Sequence, residues 1–319
     1  MAKYRSELPQ LGGDLFLTDG GIETTLIFHE GLELRHFAAF DLLDDPRGQA
    51  ALRRYFRAYG EIAARFDTGL ILESATWRAS ADWGTKLGYS RDSLVGANRR
   101  AVDLLEDICR EFESPRTKVI ISGCVGPRGD GYLPTQIMSV EEAESYHGDQ
   151  VGTLAATSAD MICALTMNYV EESIGIVRAA RRTGMPVTVS FTTETNGRLP
   201  TGQTLKAAIE QVDEATSGYP VYYMVNCAHP SHFEQVLNCD DPFIGRIRGI
   251  RANASRMSHA ELNEAAELDV GDPVELATDY ANLKKLLPRL NVMGGCCGTD
   301  HRHIDQIAQR CRSLFPLRG

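Results

Sequence analysis

The sequence predicts an α/β protein folded as one (β/α)8 barrel, a TIM barrel with extended loops after its strands. Eight short apolar runs rich in Val, Ile, Leu or Phe recur along the 319 residues. A turn and a stretch with helical spacing follow each run. No low-complexity linker separates these units, and a single series of strand–helix units favours a closed barrel over two open sheets. We therefore expect one domain over residues 1–319.

The eight predicted strands are these apolar runs, and each ends at a glycine or at polar residues. Alternation of such runs with helical segments is typical of parallel strands that are covered by helices. The predicted strands cover residues 14–18, 68–72, 118–122, 161–165, 186–191, 221–225, 246–251 and 290–293.

The predicted helices follow the strands, and we place an irregular loop at residues 253–271. The chain is about 70 residues longer than a minimal barrel of roughly 250, and this excess fits in the loops after strands two, three and seven. The predicted helices cover residues 49–66, 89–112, a segment from about 139, 171–182, 204–212 and 300–314.

The charge balance argues against polyanionic partners. Asp and Glu number 43 against 33 Lys and Arg, which gives a net charge of −10. A negative chain repels phosphate backbones and anionic membranes, so we expect no nucleic-acid or membrane partner. No uncharged apolar run approaches the roughly 20 residues that cross a bilayer, and the first residues lack the apolar core of a signal peptide. We expect a cytoplasmic location.

The eight cysteines are too dilute for a disulfide scaffold, and a reducing cytoplasm keeps them as thiols. Two of them, Cys296 and Cys297, are adjacent and flanked by glycines, a setting that suggests a specially shaped backbone. Cys124 follows strand three, and its role is left open. The remaining four lie among apolar or helical residues, where buried inert thiols are expected: Cys109, Cys163, Cys239 and Cys311.

Three cysteines are expected to meet at one rim of the barrel. Residues that follow the strands of such a barrel converge on one face, which places Cys227 after strand six near Cys296 and Cys297 after strand eight. Three thiolates favour Zn²⁺ and leave a fourth position for a substrate. Such an ion is a poor activator of water but holds a thiol as a thiolate, which suits alkylation of sulfur. The alternative is three unrelated buried or redox-active cysteines.

The motifs after the strands resemble those of the homocysteine S-methyltransferase family over nearly the whole chain. The family is a zinc-dependent barrel, and its three cysteine ligands match Cys227, Cys296 and Cys297. Its members transfer a methyl group to a zinc-bound thiol, usually homocysteine, from sulfonium, betaine or methyl-corrinoid donors. The motifs that carry the resemblance are Asp19-Gly20-Gly21, Thr76, Gly126-Pro127, Ser190-Phe191-Thr192, Val225-Asn226-Cys227 and Gly294-Gly295-Cys296-Cys297-Gly298-Thr299.

The resemblance implies roles for several further residues. Asp19 and the backbone of Gly20 and Gly21 would hold the amino-acid part of the thiol substrate. Asn226 would support the neighbouring cysteine. Thr166 after strand four and Asn253 after strand seven match family positions, and they extend the candidate substrate site.

Two departures from the family pattern concern the substrates. Leu165 stands where the family has a glutamate that recognises the amino group of homocysteine, and its loss removes a charge-assisted hydrogen bond worth about 1.5–3 kcal/mol. A thiol other than homocysteine is therefore a possible acceptor, unless Glu23, Glu73 or Glu194 supplies a substitute carboxylate. Residues 251–254 replace the family's Pro-Asn-Ala/Ser-Gly pattern, so the sequence does not determine the form of the donor pocket.

Other polar and aromatic candidates have alternative interpretations. Trp77 offers a face for a cationic donor, or it is simply packed. Asp19 and Glu73 orient substrate, or they cap the helices that follow. We expect His229 to have a surface or capping role. His301 and His303 are expected to face outward, with an indirect contact to the site as an alternative for each.

Taken together, these residues predict a zinc-dependent S-methyltransferase. One alternative is the thiol-methylating subunit of a corrinoid system that acts on a non-homocysteine thiol and needs a separate corrinoid protein. Another is a non-catalytic zinc- or thiol-binding protein. A redox protein that uses Cys296 and Cys297 is less favoured, because a disulfide between neighbours is strained. The sequence leaves the oligomeric state open.

Overall fold

A computed structural model describes residues 2–238, 240–265 and 267–316. Its eight strands are all parallel and pair in chain order, and the last pairs with the first to close the barrel. The predicted (β/α)8 fold is therefore confirmed. The strands are β1 (Phe16–Thr18), β2 (Gly69–Glu73), β3 (Val119–Val125), β4 (Met161–Met167), β5 (Val187–Phe191), β6 (Tyr222–Asn226), β7 (Ile247–Ala252) and β8 (Val292–Gly295).

Helices connect the strands and pack around the barrel. The longest have one apolar face against the strands and one charged face toward solvent, as their spacing predicts. The α-helices in the described residues are α1 (Ile22–Thr24), α2 (Pro46–Arg65), α3 (Ala81–Leu87), α4 (Arg91–Phe112), α5 (Val140–Ala155), α6 (Val170–Arg182), α7 (Leu205–Thr216), α8 (Pro230–Phe233), α9 (His259–Glu264), α10 (Pro273–Leu286) and α11 (His301–Cys311).

Two short helices lie in segments that were predicted as loops. α3 follows β2, and α9 lies within the predicted irregular loop 253–271. The side chain of Ser258 caps α9, and Glu261 completes a capping box. This Ser-x-x-Glu signature is visible in the sequence, but the absence of an apolar stripe hides the helix. The long connection after β1, over residues 19–45, was not among the loops expected to be extended.

The apolar core has two layers. One layer fills the barrel interior and includes Phe16, Ile71, Ile120 and Tyr222. The other lies between the strands and the surrounding helices. Because every strand is covered on both sides, the carboxyl ends of the strands are the place where polar side chains can gather.

The cysteines expected to be inert fit this core. Cys163 and Cys311 are buried, and Cys109 is partly buried. Cys124, whose role was open, is buried in the barrel interior. Cys239 lies outside the described residues. Across the residues that the structure describes, no helix is both long enough and apolar enough to cross a membrane.

Candidate metal and substrate site

Three sulfur atoms meet at the carboxyl ends of β6 and β8. The Sγ atoms of Cys227, Cys296 and Cys297 all lie within 4.8 Å of one another. Cys297 Sγ is 3.9 Å from Cys227 Sγ, whereas the sulfurs of Cys227 and Cys296 are joined as a disulfide. The expected convergence of these cysteines is therefore observed. With all three sulfurs reduced, the cluster fits a metal ion that prefers soft ligands.

The backbone around the sulfurs is held by hydrogen bonds between strand ends. Cys227 has φ of 51°, in the left-handed region, and its amide donates to the carbonyl of Arg251. The amide of Cys296 donates to the carbonyl of Ala252 at 2.8 Å. A side chain at Gly294 would collide with Thr18. Glycine is therefore needed where the chain turns into the cysteine pair.

Tyr132, from the loop after β3, covers the sulfur cluster. Its hydroxyl donates to Cys227 Sγ at 3.1 Å and lies 3.8 Å from Cys297 Sγ. Its ring packs on His259, whose Nε2 lies 2.5 Å from the carbonyl oxygen of Cys227. Burial raises the pKa of Tyr132 well above its ordinary value. Sequence reasoning missed Tyr132, and no motif in its loop marks it.

Burial also shapes the protonation of the free cysteine. It raises the pKa of Cys297 to about 11, while the hydrogen bond with Tyr132 acts in the opposite direction. Without a metal, this sulfur is therefore a thiol at neutral pH. A bound cation would reverse that preference, because it favours the thiolate.

Asn226 lies beneath the sulfurs in a fixed orientation. Its Oδ1 accepts from the Ser190 hydroxyl at 2.6 Å and from the Thr166 amide at 3.0 Å. Its Nδ2 donates to the Thr166 hydroxyl at 2.8 Å and is directed toward Cys296 Sγ at 3.9 Å. This network links the strand ends of β4, β5 and β6 to one cysteine of the cluster.

A buried arginine lies among the acidic residues of the site. Arg251 Nη1 is 2.9 Å from Asp19 Oδ1 and 4.0 Å from Glu73 Oε1. The contact with Asp19 is an ion pair, but its angles do not meet the criteria for a hydrogen bond. Its Nε and Nη2 donate to the carbonyls of Gly295 and Gly20. Burial raises the pKa of Asp19 and of Glu73 although Arg251 opposes the shift. Sequence reasoning noted the altered motif here but not the buried guanidinium.

The capping interpretation of Asp19 and Glu73 is wrong. The N-cap of α1 is Gly21 and that of α3 is Ser80, neither with a side-chain cap. Asp19 is instead paired with Arg251 and accepts a hydrogen bond from the Tyr55 hydroxyl at 3.0 Å. A buried cation can hold a carboxylate more effectively than exposed amides at a helix end.

A narrow cavity of about 50 Å³ brings most of the predicted residues together. Thr76 and Asn226 are not among its lining residues, and the Thr76 hydroxyl is bonded to the carbonyl of Cys124 at 2.7 Å. Glu194 is also absent and contacts His259 instead. Predicted residues that line the cavity are Asp19, Gly20, Gly21, Glu23, Glu73, Trp77, Thr166 and the three cysteines.

Trp77 and Leu165 form an apolar wall of this cavity. The indole nitrogen of Trp77 donates to the carbonyl of Leu165 at 3.2 Å. The guanidinium of Arg78 lies 5.0 Å from the centroid of the Trp77 ring. The ring that was predicted to face a cationic donor therefore already has a cation of the protein beside it. Burial raises the pKa of Glu23 in the same cavity to about 7.

A second cavity, of about 240 Å³, shares Cys297 and Tyr132 with the first. Asn253 lines it, and no described residue makes a hydrogen bond to Asn253 Oδ1. Asn253 therefore lies beside the cysteine site but not in the cavity of Asp19 and Glu73. The second cavity is lined mainly by apolar and aromatic side chains, including Phe28, Phe37, Leu262 and Leu268.

The histidines near the site have structural contacts. His229 caps α8 by accepting from the Ser231 amide, which confirms the capping role, although the residue is buried and not on the surface. His301 is exposed, as expected. The expectation that His303 faces outward is wrong, since it is fully buried against the carbonyl of Val270 and the cap residue Asp300. The long loop after β7 folds back over α11 and covers it.

Known protein structures share this barrel fold. Three structures of the homocysteine methyltransferase MmuM from Escherichia coli are similar to it. The oxidised form has 17% identity and a TM-score of 0.77, covering 97% of this chain and 100% of the other. The metallated form has 17% identity and a TM-score of 0.75, covering 96% and 100%. The apo form has 19% identity and a TM-score of 0.67, covering 94% and 99%.

The sequence model of one family covers most of the barrel. It is the model described as homocysteine S-methyltransferase, and it matches residues 16–311. That segment contains all eight strands and the three clustered cysteines. This protein therefore belongs to the homocysteine S-methyltransferase family and is a methyltransferase.

Proposed function

We propose that this protein transfers a methyl group from a sulfonium, betaine-type or methyl-corrinoid donor to a thiol, such as homocysteine, at a Zn²⁺ site. The observation that carries the proposal is the cluster of three sulfurs facing the cavity of Asp19 and Glu73. Cys227, Cys296 and Cys297 would hold the ion as reduced thiolates. Such ligands need reduced cysteines, which fits a cytoplasmic enzyme.

The donor set suits zinc on chemical grounds. Soft thiolates select Zn²⁺ over Mg²⁺ or Ca²⁺, which prefer oxygen ligands. Three protein ligands leave a coordination position for the acceptor thiol. When bound, the ion would lower the pKa of that thiol, so that the sulfur is nucleophilic at neutral pH.

The chain's own side chains bind and align the substrates. Asn226 orients Cys296 through its fixed amide, and Tyr132 shields the sulfurs from water. Trp77 and Leu165 wall the cavity, while Asp19 and the turn at Gly20 and Gly21 line its polar side. Methyl transfer requires the acceptor sulfur, the methyl carbon and the leaving group to lie in line. These side chains would therefore accelerate the reaction chiefly by aligning the substrates.

The second cavity favours a small donor over a corrinoid. Its aromatic lining, with Phe28, Phe37 and Tyr132, suits a sulfonium or quaternary ammonium group. Its volume of about 240 Å³ is below the roughly 300–1,000 Å³ of drug-sized ligand pockets. A corrin ring would therefore have to react from outside the cavity, presented by a partner protein.

The test combines metal analysis with product identification. Reduced, zinc-loaded protein is incubated with homocysteine and other thiols, each with sulfonium, betaine-type and methylcobalamin donors, and methylated products are identified by mass. We expect one zinc per chain and methylation from a small donor. Transfer from methylcobalamin alone would instead support the corrinoid-linked subunit.

Variants connect metal and activity. Cys296→Ala and Cys297→Ala should each lose zinc and methyl transfer together. Cys109→Ser changes a cysteine remote from the cluster and serves as the matched control, with both properties retained. Full turnover by metal-free Cys297→Ala protein would contradict the proposal. Zinc at one per chain with no methylated thiol from any donor would also contradict it and would favour a binding protein.

A further inference from the structure

We propose that Glu73 binds the amino group of an amino-thiol acceptor and that Arg251 positions the carboxylate of Glu73. This inference rests on the proposed function and names the acceptor class as thiols that carry an ammonium group. Recognition of that group would come from the end of β2. Leu165 at β4 would supply only an apolar wall.

Glu73 has an unused acceptor atom inside the site. It lines the cavity together with the clustered cysteines, and its side chain is only 6% exposed. Among the described residues, none makes a hydrogen bond of acceptable geometry to Oε2, although the Ser122 hydroxyl and the Cys163 thiol lie near the carboxyl. A buried carboxylate oxygen without a donor is unfavourable, and an incoming ammonium group would remove that penalty.

The other carboxylates of the cavity are less suited to this role. Asp19 has one oxygen paired with Arg251 and the other bonded to Tyr55. Glu23 lies on the short helix α1, and among the described residues neither of its carboxylate oxygens is both buried and without a hydrogen-bond partner. Of the two carboxylates beside the guanidinium, only Glu73 keeps an oxygen for a ligand. The balance of charge supports this assignment, because the single positive charge of Arg251 is balanced by Asp19. The negative charge of Glu73 is then left to attract an ammonium group.

Arg251 holds Glu73 without saturating it. The Nη1–Oε1 separation of 4.0 Å is too long for a hydrogen bond but within ion-pair range. The guanidinium is itself fixed by the carbonyls of Gly20 and Gly295, next to the turns that lead into the site. Arg251 can therefore direct one oxygen of Glu73 toward itself and leave the other for the substrate.

The experiment compares two acceptors that differ only in the amino group. Homocysteine and its desamino analogue are assayed with zinc-loaded wild-type protein, Glu73→Gln and Glu73→Asp. A charged hydrogen bond supports a preference of about 10- to 100-fold. We expect Glu73→Gln to lower kcat/KM for homocysteine by this factor and to leave the analogue within about threefold. Glu73→Asp keeps the charge and should keep part of the preference.

A ratio of two acceptors on one variant is independent of how much protein is folded. Glu141→Gln on α5 removes an exposed carboxylate and serves as the matched control. Equal losses for both acceptors in Glu73→Gln would overturn the inference, as would a wild-type enzyme that does not distinguish them. A loss of preference in Glu23→Gln, with none in Glu73→Gln, would assign the role to Glu23 instead.

A binding measurement separates this inference from the proposed function. Calorimetric titration with methionine and with its desamino analogue reports on the amino group without any transfer reaction. We expect Glu73→Gln to weaken methionine binding about 10- to 100-fold and to spare the analogue. If wild-type protein methylates no thiol but shows this binding pattern, the proposed function fails and the role of Glu73 stands. If methylation proceeds without the pattern, the inference about Glu73 fails alone.

Discussion

Replacement of Arg251 by methionine should destabilise the barrel severely. The methionine stem fills much of the same space, but the carboxylates of Asp19 and Glu73 lose their cation. The carbonyls of Gly20 and Gly295 also lose their donors. Breaking a buried ion pair by removal of one partner costs about 3–5 kcal/mol. Since domains are stable by roughly 5–15 kcal/mol, this is a large fraction of the free energy of unfolding.

The loss should depend on pH in a specified direction. The pKa values of Asp19 and Glu73 are already raised by burial, and removal of Arg251 raises them further. A carboxyl whose pKa is higher in the folded state favours folding fully below its unfolded pKa of about 4, and this stability is lost as pH rises through the folded pKa. The deficit of Arg251→Met should therefore be largest at neutral pH and shrink toward pH of about 4.

Urea unfolding followed by circular dichroism at neutral and acidic pH measures both effects. Arg248→Met is the matched control on the same strand, because its guanidinium is partly exposed and its hydrogen bonds to described residues are long, at 3.4 and 3.5 Å. We expect the control to lose less than about 1 kcal/mol. A deficit below about 1 kcal/mol for Arg251→Met at neutral pH, or one that does not change with pH, would refute the account of this network.

Three further predictions concern Tyr132, which covers the sulfurs, Glu23, which lines the first cavity, and Tyr280, which bonds the strand ends behind the site. Tyr132→Ala should speed modification of Cys297 by thiol reagents about tenfold in reduced, metal-free protein, because the side chain covers the sulfur; an unchanged rate would show that it does not. Burial raises the pKa of Glu23 to about 7, so its stabilising effect is complete below about pH 4 and lost as pH rises to 7. Glu23→Gln should accordingly gain about 3 kcal/mol over wild type at pH 8 in urea unfolding and nothing near pH 4. Tyr280→Phe should lose about 1–3 kcal/mol by the same assay, because the buried hydroxyl bonds the Ala252 amide and the Gly294 carbonyl; a neutral result would show that water replaces it.

Prediction from sequence worked where local pattern and barrel symmetry coincide. Each apolar run was placed within a few residues of its strand, because strand formation follows the local alternation of apolar runs and turns. The meeting of Cys227 with the pair at β8 followed without any contact information, because all strand ends of a closed parallel barrel lie on one face. Ends of elements were less accurate, since β3 and β4 continue to Val125 and Met167.

Side chains that reach the site from loops could not be predicted in this way. Tyr132 reaches the sulfurs from a loop, and the path of a loop depends on what it packs against. His303 was misplaced for the same reason, because the loop after β7 covers it. A local pattern contains no information about such distant partners.

The amino-acid order alone is sufficient for the class of fold, the chain order of the strands and the rim that carries the sulfurs. These features follow from hydrophobic periodicity and from the geometry that all such barrels share. The pairing of Arg251 with Asp19 and Glu73 required the folded chain, since it brings together residues from three strand ends. Their interaction energies arise from burial away from water, and burial is a property of the whole packed molecule rather than of any segment.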